Sequence, residues 1–282
     1  MKKFEGMLFC TDLDGTLFSS DKTVSRENLE AIEYFKSEGG LFTFITGRVP
    51  QTAAAICRQI RPNAPYGCIN GGGIFDPVEN RYLWNTHLPD HAVELVREVD
   101  ARLPEIGIQL NTEKEVYFCK ESPAMVRFRK VSGLPLTFSP YEKVKEPVLK
   151  VLFAHDDEEQ IAALARLLRE HPKADDFDFI RSEKHLYEIL PKGVNKGVAL
   201  KKLAALLGVE RKNTIAAGDY NNDVAMLREA GLSFAVANAV PEVKKEADYV
   251  TVSNDENAIA AIIEGLDRGR YSLGSSQKRT DR

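Results

Sequence analysis

Runs that are apolar at every position, not at every second one, alternate with helix-patterned segments at both ends of this chain. A strand that is apolar on both faces must be covered on both faces. The pattern therefore predicts an α/β fold, a parallel sheet between layers of helices. Met7 to Cys10, "MLFC", opens the series as a buried strand. Ser25 then reads as the N-cap of a helix that turns Leu29, Ile32 and Phe35 inward and ends at Gly39 and Gly40. "LFTFIT" is a second strand, Pro50 opens a helix that runs through Ile60, "YGCIN" is a third strand, and "GGGIF" is a turn into a short hairpin. After Pro191 the alternation resumes. A helix spans about Asn195 to Leu207, "NTIAAGD" is a strand, and a helix from Asp223 ends at Gly231. "LSFAVAN" and "DYVTVS" are further strands, and a last helix runs through Leu266.

The middle of the chain has a different period. "GIQLNTEKEVYFCK" and "DFDFIRSEKHLYEIL" alternate polar with apolar residues and read as antiparallel hairpins. "PVLKVLFAHD" is a strand, and Asp156 is expected to cap the helix over "EEQIAALARLLREH". This predicts an α+β domain over residues 82–190, inserted into a core made of residues 1–81 and 191–282. The Gly- and Ser-rich tail from about residue 267 is expected to fray. With 38 basic and 42 acidic residues, a net charge of −4 and 43% apolar residues, the composition is that of an ordinary globular protein. It offers no basic surplus for nucleic acid, and no apolar run spans a bilayer, so neither nucleic acid nor membrane is expected as a partner. The lysines and apolar residues at the N-terminus look like a signal peptide, but Glu5 and Asp12 interrupt so short a stretch. Four scattered cysteines without a CxxC pair fit a reducing compartment, and a cytoplasmic location is expected.

In parallel α/β sheets, reactive groups gather beyond the carboxyl ends of the strands. Polar clusters fall at those positions here. "FCTDLDGT" puts Asp12 and Asp14 after the first strand. "ITGR" puts Thr46, Gly47 and Arg48 after the second. "AAGDYNND" puts Asp219, Asn222 and Asp223 after the strand near residue 215, and Lys196 starts the helix before it. Two carboxylates so close repel each other and resist burial, so something positive must accompany them.

Together these motifs resemble the haloacid dehalogenase superfamily of phosphotransferases. "DLDGT", the Thr of "ITGR", Lys196 and "GDYNND" match its four motifs in order. The insert between the second and third resembles the large cap of the Cof-type phosphatases. The resemblance covers nearly the whole chain except the tail. It implies a Rossmann-like core with a cap and a hydrolase acting on phosphomonoesters of small metabolites, such as sugar or cofactor phosphates. It implies Mg²⁺ on the Asp12 carboxylate, the Asp14 backbone carbonyl and Asp219, with Asp12 as nucleophile and Asp14 as acid and base. Thr46, Gly47 and Lys196 are implied to hold the phosphoryl group, with Asn222 as a further substrate contact and Asn222 and Asp223 orienting the metal shell or the lysine. The chemistry suits these residue types. A carboxylate attacking an anionic ester faces roughly 4 kcal/mol of repulsion for unit charges about 4 Å apart at an effective dielectric of about 20, and a hard cation offsets it.

Several of these residues also have structural readings. Asp12 and Asp14 can form an Asx-turn, Asp223 can cap the next helix, and Lys196 sits among other lysines. Arg48 divides between a phosphate contact and a loop ion pair, and Asn70, before the glycines of "NGGG", divides between a substrate contact and a turn former. The five histidines form no zinc set, and "RFRK" at Arg127–Lys130 reads as a solvated face. A phosphosugar mutase shares the DxDGT start and a cap. A DxD glycosyltransferase would leave "GDYNND" unexplained, and a receiver-like module would end after one small domain. Oligomeric state has no signature in the sequence.

Overall fold

The structure, a computed structural model, describes residues 2–271 and residue 273. The chain begins with β1 (Leu8–Thr11), α1 (Arg26–Ser37), β2 (Leu41–Phe44), α2 (Pro50–Ile60), β3 (Tyr66–Cys68), β4 (Gly73–Asp76) and β5 (Arg81–Asn85). There follow α3 (Ala92–Arg102), β6 (Gly107–Thr112), β7 (Val116–Lys120), α4 (Pro123–Ser132) and β8 (Thr137–Phe138). Next come β9 (Val148–Ala154), α5 (Glu158–Glu170), β10 (Phe177–Glu183) and β11 (Leu186–Pro191). The remainder is α6 (Lys196–Leu206), β12 (Thr214–Gly218), α7 (Val224–Glu229), β13 (Leu232–Ala235), α8 (Pro241–Glu246), β14 (Tyr249–Val250) and α9 (Ala258–Asp267). The described chain falls into two compact units. One comprises residues up to 47, 54–84 and those from 195 on; the other comprises 48–53 and 85–194.

The first unit holds a five-stranded sheet in the order β14-β13-β12-β1-β2, parallel throughout. Alternation along β1 separates its two apolar layers. Leu8 and Cys10 join a cluster with Ala199, Leu200 and Leu203 of α6 and Met226 and Leu227 of α7. Phe9 turns the other way, edge-on to Phe35 of α1 at 6.0 Å and to Phe42 at 5.3 Å. Ser25 caps α1 by accepting from Asn28 N–H at 3.1 Å, while Leu29 is only half-buried. β3 pairs antiparallel with β4 in a separate three-stranded sheet with β5, and meets the residue just past β2 in one parallel bridge, Ile45 to Gly67. The run "YGCIN" is therefore half of the hairpin more than it is a full member of the parallel sheet. Tyr271 packs on Phe234 and Tyr249 at 4.8 Å from each ring, so the chain stays packed past residue 267; the fraying expected of the last residues lies outside the described ones.

The second unit carries a mixed six-stranded sheet, β10-β11-β9-β6-β7-β8. Its apolar layer joins Ile108, Leu110, Val151, Phe153 and Ile189 to α3 and α5. Asp157, not Asp156, caps α5, accepting from Glu159 N–H at 2.8 Å; Asp156 pairs instead with Arg127. "RFRK" lies on α4, where Arg129 bonds Glu121 at 3.2 Å and sits over the Phe118 ring. Among the described residues no helix is long and apolar enough to cross a membrane.

Candidate active site

The register of the parallel sheet determines which polar residues meet. Thr11 stands opposite Ala217, so Asp12 and Gly218 leave adjacent strands at the same level. Asp12 N–H still donates to Ala217 C=O at 2.9 Å, which extends the pairing and turns its carboxyl beyond the sheet edge. The chain then makes a single irregular turn over Leu13–Leu17, closed by Phe18 N–H on Leu13 C=O at 2.8 Å. Asp14 is in an extended conformation, and Gly15 has a φ of +85°. A side chain at Gly15 would be strained by that φ and would also stand 2.5 Å from Asp219 Oδ2.

Lys196 is the first residue of α6, whose N-cap Asn195 accepts from Val198 N–H at 3.1 Å. Its ammonium is 1% exposed and donates to Asp12 Oδ1 and Asp223 Oδ1, each at 2.6 Å. The other oxygen of Asp223 accepts from Asp219 N–H at 2.9 Å and Tyr220 N–H at 3.0 Å. Asp223 therefore does not cap α7: its carboxylate folds back toward the end of β12. Gly218 makes this possible, because a Cβ there would lie 2.5 Å from the Asp223 Cβ. Asp219 Oδ1 accepts from the Thr16 hydroxyl at 2.8 Å. Carboxylate oxygens of Asp12, Asp219 and Asp223 lie within 4.8 Å of one another.

A second chain of contacts runs beside the first. Thr46, buried after β2, donates its N–H to Gly67 C=O at 3.0 Å and accepts Asn70 N–H at 3.0 Å. Asn70 is buried in a left-handed turn with φ +51°, and its Oδ1 accepts from Asn222 Nδ2 at 3.1 Å. Asn222 is thus tied to Asn70, while Asp223 orients the lysine. Asp14 is partly exposed and pairs with Lys22 at 3.1 Å. Gly47 follows Thr46 directly in the first unit, whereas Arg48 belongs to the segment 48–53 of the second. Thr16, the last residue of "DLDGT", and Asn238 and Asn254 also bond the loops of this site, and the sequence assigns none of them a role.

A family model for haloacid dehalogenase-like hydrolases matches residues 9–263, nearly the whole chain. The chain belongs to that family. The phosphatase YitU of Bacillus subtilis, named for 5-amino-6-(5-phospho-D-ribitylamino)uracil, is 29% identical over 91% of this chain and 96% of its own length. YwtE of the same organism, named for the same compound, is 30% identical over 93% and 98%. The crystal structure of a haloacid dehalogenase-like hydrolase from Bacteroides thetaiotaomicron superposes with a TM-score of 0.83, at 26% identity, over 92% of this chain and 99% of its own. Within the family the chain is a Cof-type phosphatase, a phosphoric monoester hydrolase with a parallel-sheet core and an α/β cap.

The electrostatics of this haloacid dehalogenase-type site are those of a place short of positive charge. Burial by itself favours the neutral form of Lys196, but Asp12 and Asp223 outweigh it and hold the ammonium above its ordinary pKa. Burial pushes the Asp12 carboxyl well above the usual range; Lys196 opposes this, and Asp223 and Asp219 add to it. Asp219 is raised to about 6, first by burial and then by Asp223, with the Thr16 hydroxyl pulling the other way. One buried ammonium thus pairs with two of three clustered carboxylates, an all-oxygen donor set that fits a hard divalent cation. Both Asp223 oxygens already accept hydrogen bonds, one from Lys196 and the other from the Asp219 and Tyr220 N–H groups.

Proposed function

We propose that the protein is a Mg²⁺-dependent phosphatase that hydrolyses phosphomonoesters of small metabolites through an aspartyl-phosphate. The observation that carries this reading is the buried Lys196 ammonium, held at 2.6 Å from both Asp12 and Asp223 and beside Asp219. An Asp12 oxygen attacks phosphorus as the ester P–O bond breaks, and the departing alkoxide takes a proton from the Asp14 carboxyl. Asp14, now a carboxylate, then removes a proton from water as that water attacks the phosphorus. The bond from phosphorus to the Asp12 oxygen breaks, inorganic phosphate leaves, and both aspartates return to their starting states. Asp14 suits this exchange because it is partly exposed and open to water, whereas Asp12 is buried against a fixed ammonium.

The Asp12 carboxylate, the Asp14 backbone carbonyl and Asp219 would hold the metal, which when bound supplies charge neutralisation for the transferring phosphoryl group. Lys196 steadies the Asp12 carboxylate and the phosphoryl oxygens, Thr46 with the backbone near Gly47 donates to the same oxygens, and Asp223 holds the lysine in place. Asn70 and Asn222 order the loop that presents Thr46, and Arg48 is left as a substrate contact of lower rank. Relatives named for a phosphorylated ribitylaminouracil support sugar, polyol or cofactor phosphates as the substrate class.

The test is Asp12→Asn, assayed with Mg²⁺ on a panel of such esters. Turnover should fall by several orders of magnitude on every substrate while the melting temperature stays near that of the parent. Substantial turnover in this variant, or full activity of the parent in excess chelator, would remove the nucleophile and the metal respectively.

A further inference from the structure

The turn after Asp12 departs from helical geometry at Asp14 and Gly15. Two asparagines from distant loops donate to its carbonyls. Asn238 Nδ2 donates to Gly15 C=O at 2.8 Å, and Asn254 Nδ2 donates to Phe18 C=O at 2.9 Å. The pair is joined, since Asn238 Oδ1 accepts from Asn254 N–H at 3.0 Å. Two residues beyond Asn238, Val240 N–H donates to Asp219 C=O at 3.0 Å. The segment 238–240 therefore touches the residue after Asp14 on one side and Asp219 on the other.

We propose that Asn238 and Asn254 are positioning residues, a two-amide clamp that holds the turn so that Asp14 is aimed as acid and base. This rests on the phosphatase reading above. Neither side chain needs to touch substrate. The clamp acts through Gly15, whose missing Cβ is what lets the turn lie against Asp219. A shift of about 1 Å at such a group can cost roughly 100-fold in rate. The clamp should matter most where protonation of the leaving group is most demanding.

The test compares Asn238→Ala, Asn238→Asp and Asn254→Ala with the parent and Asp14→Asn, on alkyl phosphates and on aryl phosphates of graded leaving-group pKa. Asn238→Asp keeps the acceptor for Asn254 N–H, loses the donor to Gly15 C=O and sets a carboxylate against it. A purely structural contact between the two loops would scale all leaving groups alike; the clamp would not. The expected result is a kcat loss of about 10- to 100-fold on alkyl phosphates and only a few-fold on the best aryl leaving groups, with KM little changed, in both Asn238 variants. Hydrogen exchange at the Phe18 amide, which closes the turn, should quicken in all three Asn variants while the melting temperature moves by only a few degrees. Parent-like exchange at Phe18, or losses equal on all leaving groups, overturns the clamp. A flat leaving-group profile in Asp14→Asn would instead overturn the acid role of Asp14, and the Phe18 exchange would still decide the clamp.

Discussion

Asp219 shows how single residues set the working conditions of the site. Its carboxyl is raised to about 6, so between the ordinary aspartate value and about 6 the folded, metal-free protein binds more protons than the unfolded chain. That contribution to stability is present at low pH and is lost as pH rises through about 6, where a buried negative charge must be carried instead. A cation needs the carboxylate, so its stabilising effect must grow over the same window. Saturating Mg²⁺ is therefore expected to raise the melting temperature more at pH 7.5 than at pH 5, with proton release on binding measurable by calorimetry in buffers of different ionisation heat. An equal Mg²⁺ effect at both pH values would take Asp219 out of the metal site. The acidic motif and Lys196 were legible in the sequence because each follows an apolar run at short range. The role of Thr16 within "DLDGT" and that of Asn238 were not, since their partners lie 203 and 223 positions away and a hydroxyl or amide in a turn has many equally ordinary uses.

Among the elements, β12 and the turn that follows it do most to organise the site. The strand is small-sided, "TIAAG", and lies between β1 and β13. Its last residue has no side chain, so Asp223 can fold back over it and reach Lys196. Gly218→Ala would place a methyl against the Asp223 Cβ, a close contact with a stiff part of that side chain. Overpacking of this kind costs about 1–3 kcal/mol. The expected outcome is a melting temperature lowered by several degrees and a turnover loss larger than that instability explains, because Asp223 releases the lysine. Unchanged turnover with lowered stability would show that the Asp223–Lys196 bond has no part in the reaction. The sequence pattern located β12 and α6 well, since apolar runs and caps are local signals. It misjudged the α5 cap by one residue, because Asp156 and Asp157 are chemically alike and only the ion pair of Asp156 with Arg127 separates them. It also placed "YGCIN" in the main sheet, because a buried three-residue strand looks the same in a hairpin as in a parallel layer.

For the whole molecule, the two units differ in what they can contribute. The clustered aspartates and Lys196 lie in the first unit, at the ends of parallel strands. The second unit begins at Asn85 and ends at Val194, against expected limits of 82 and 190, and also takes in residues 48–53. One face of its sheet is apolar against α3 and α5. Strand register puts Gln109, Asn111, Lys150 and Glu188 on the opposite face, since Asn111 pairs with Lys150, and Gln109 and Glu188 both stand opposite Leu152. All four are buried; Lys150 bonds Glu188 at 3.1 Å, and Gln109 donates to Asn111 at 3.1 Å. Burying amides and a charge pair on a sheet face costs stability relative to apolar packing, which gives a reason to seek a role in selection of substrate. If the cap carries selectivity and the core carries chemistry, Gln109→Leu and Asn111→Leu should reorder kcat/KM among hexose, pentose, polyol and cofactor phosphates by about tenfold or more. Turnover on a small aryl phosphate, which offers few polar groups to select, should stay near the parent. Changes that scale every substrate by the same factor, aryl phosphate included, would count against this division of labour and would reassign the polar face to the stability of the second unit alone.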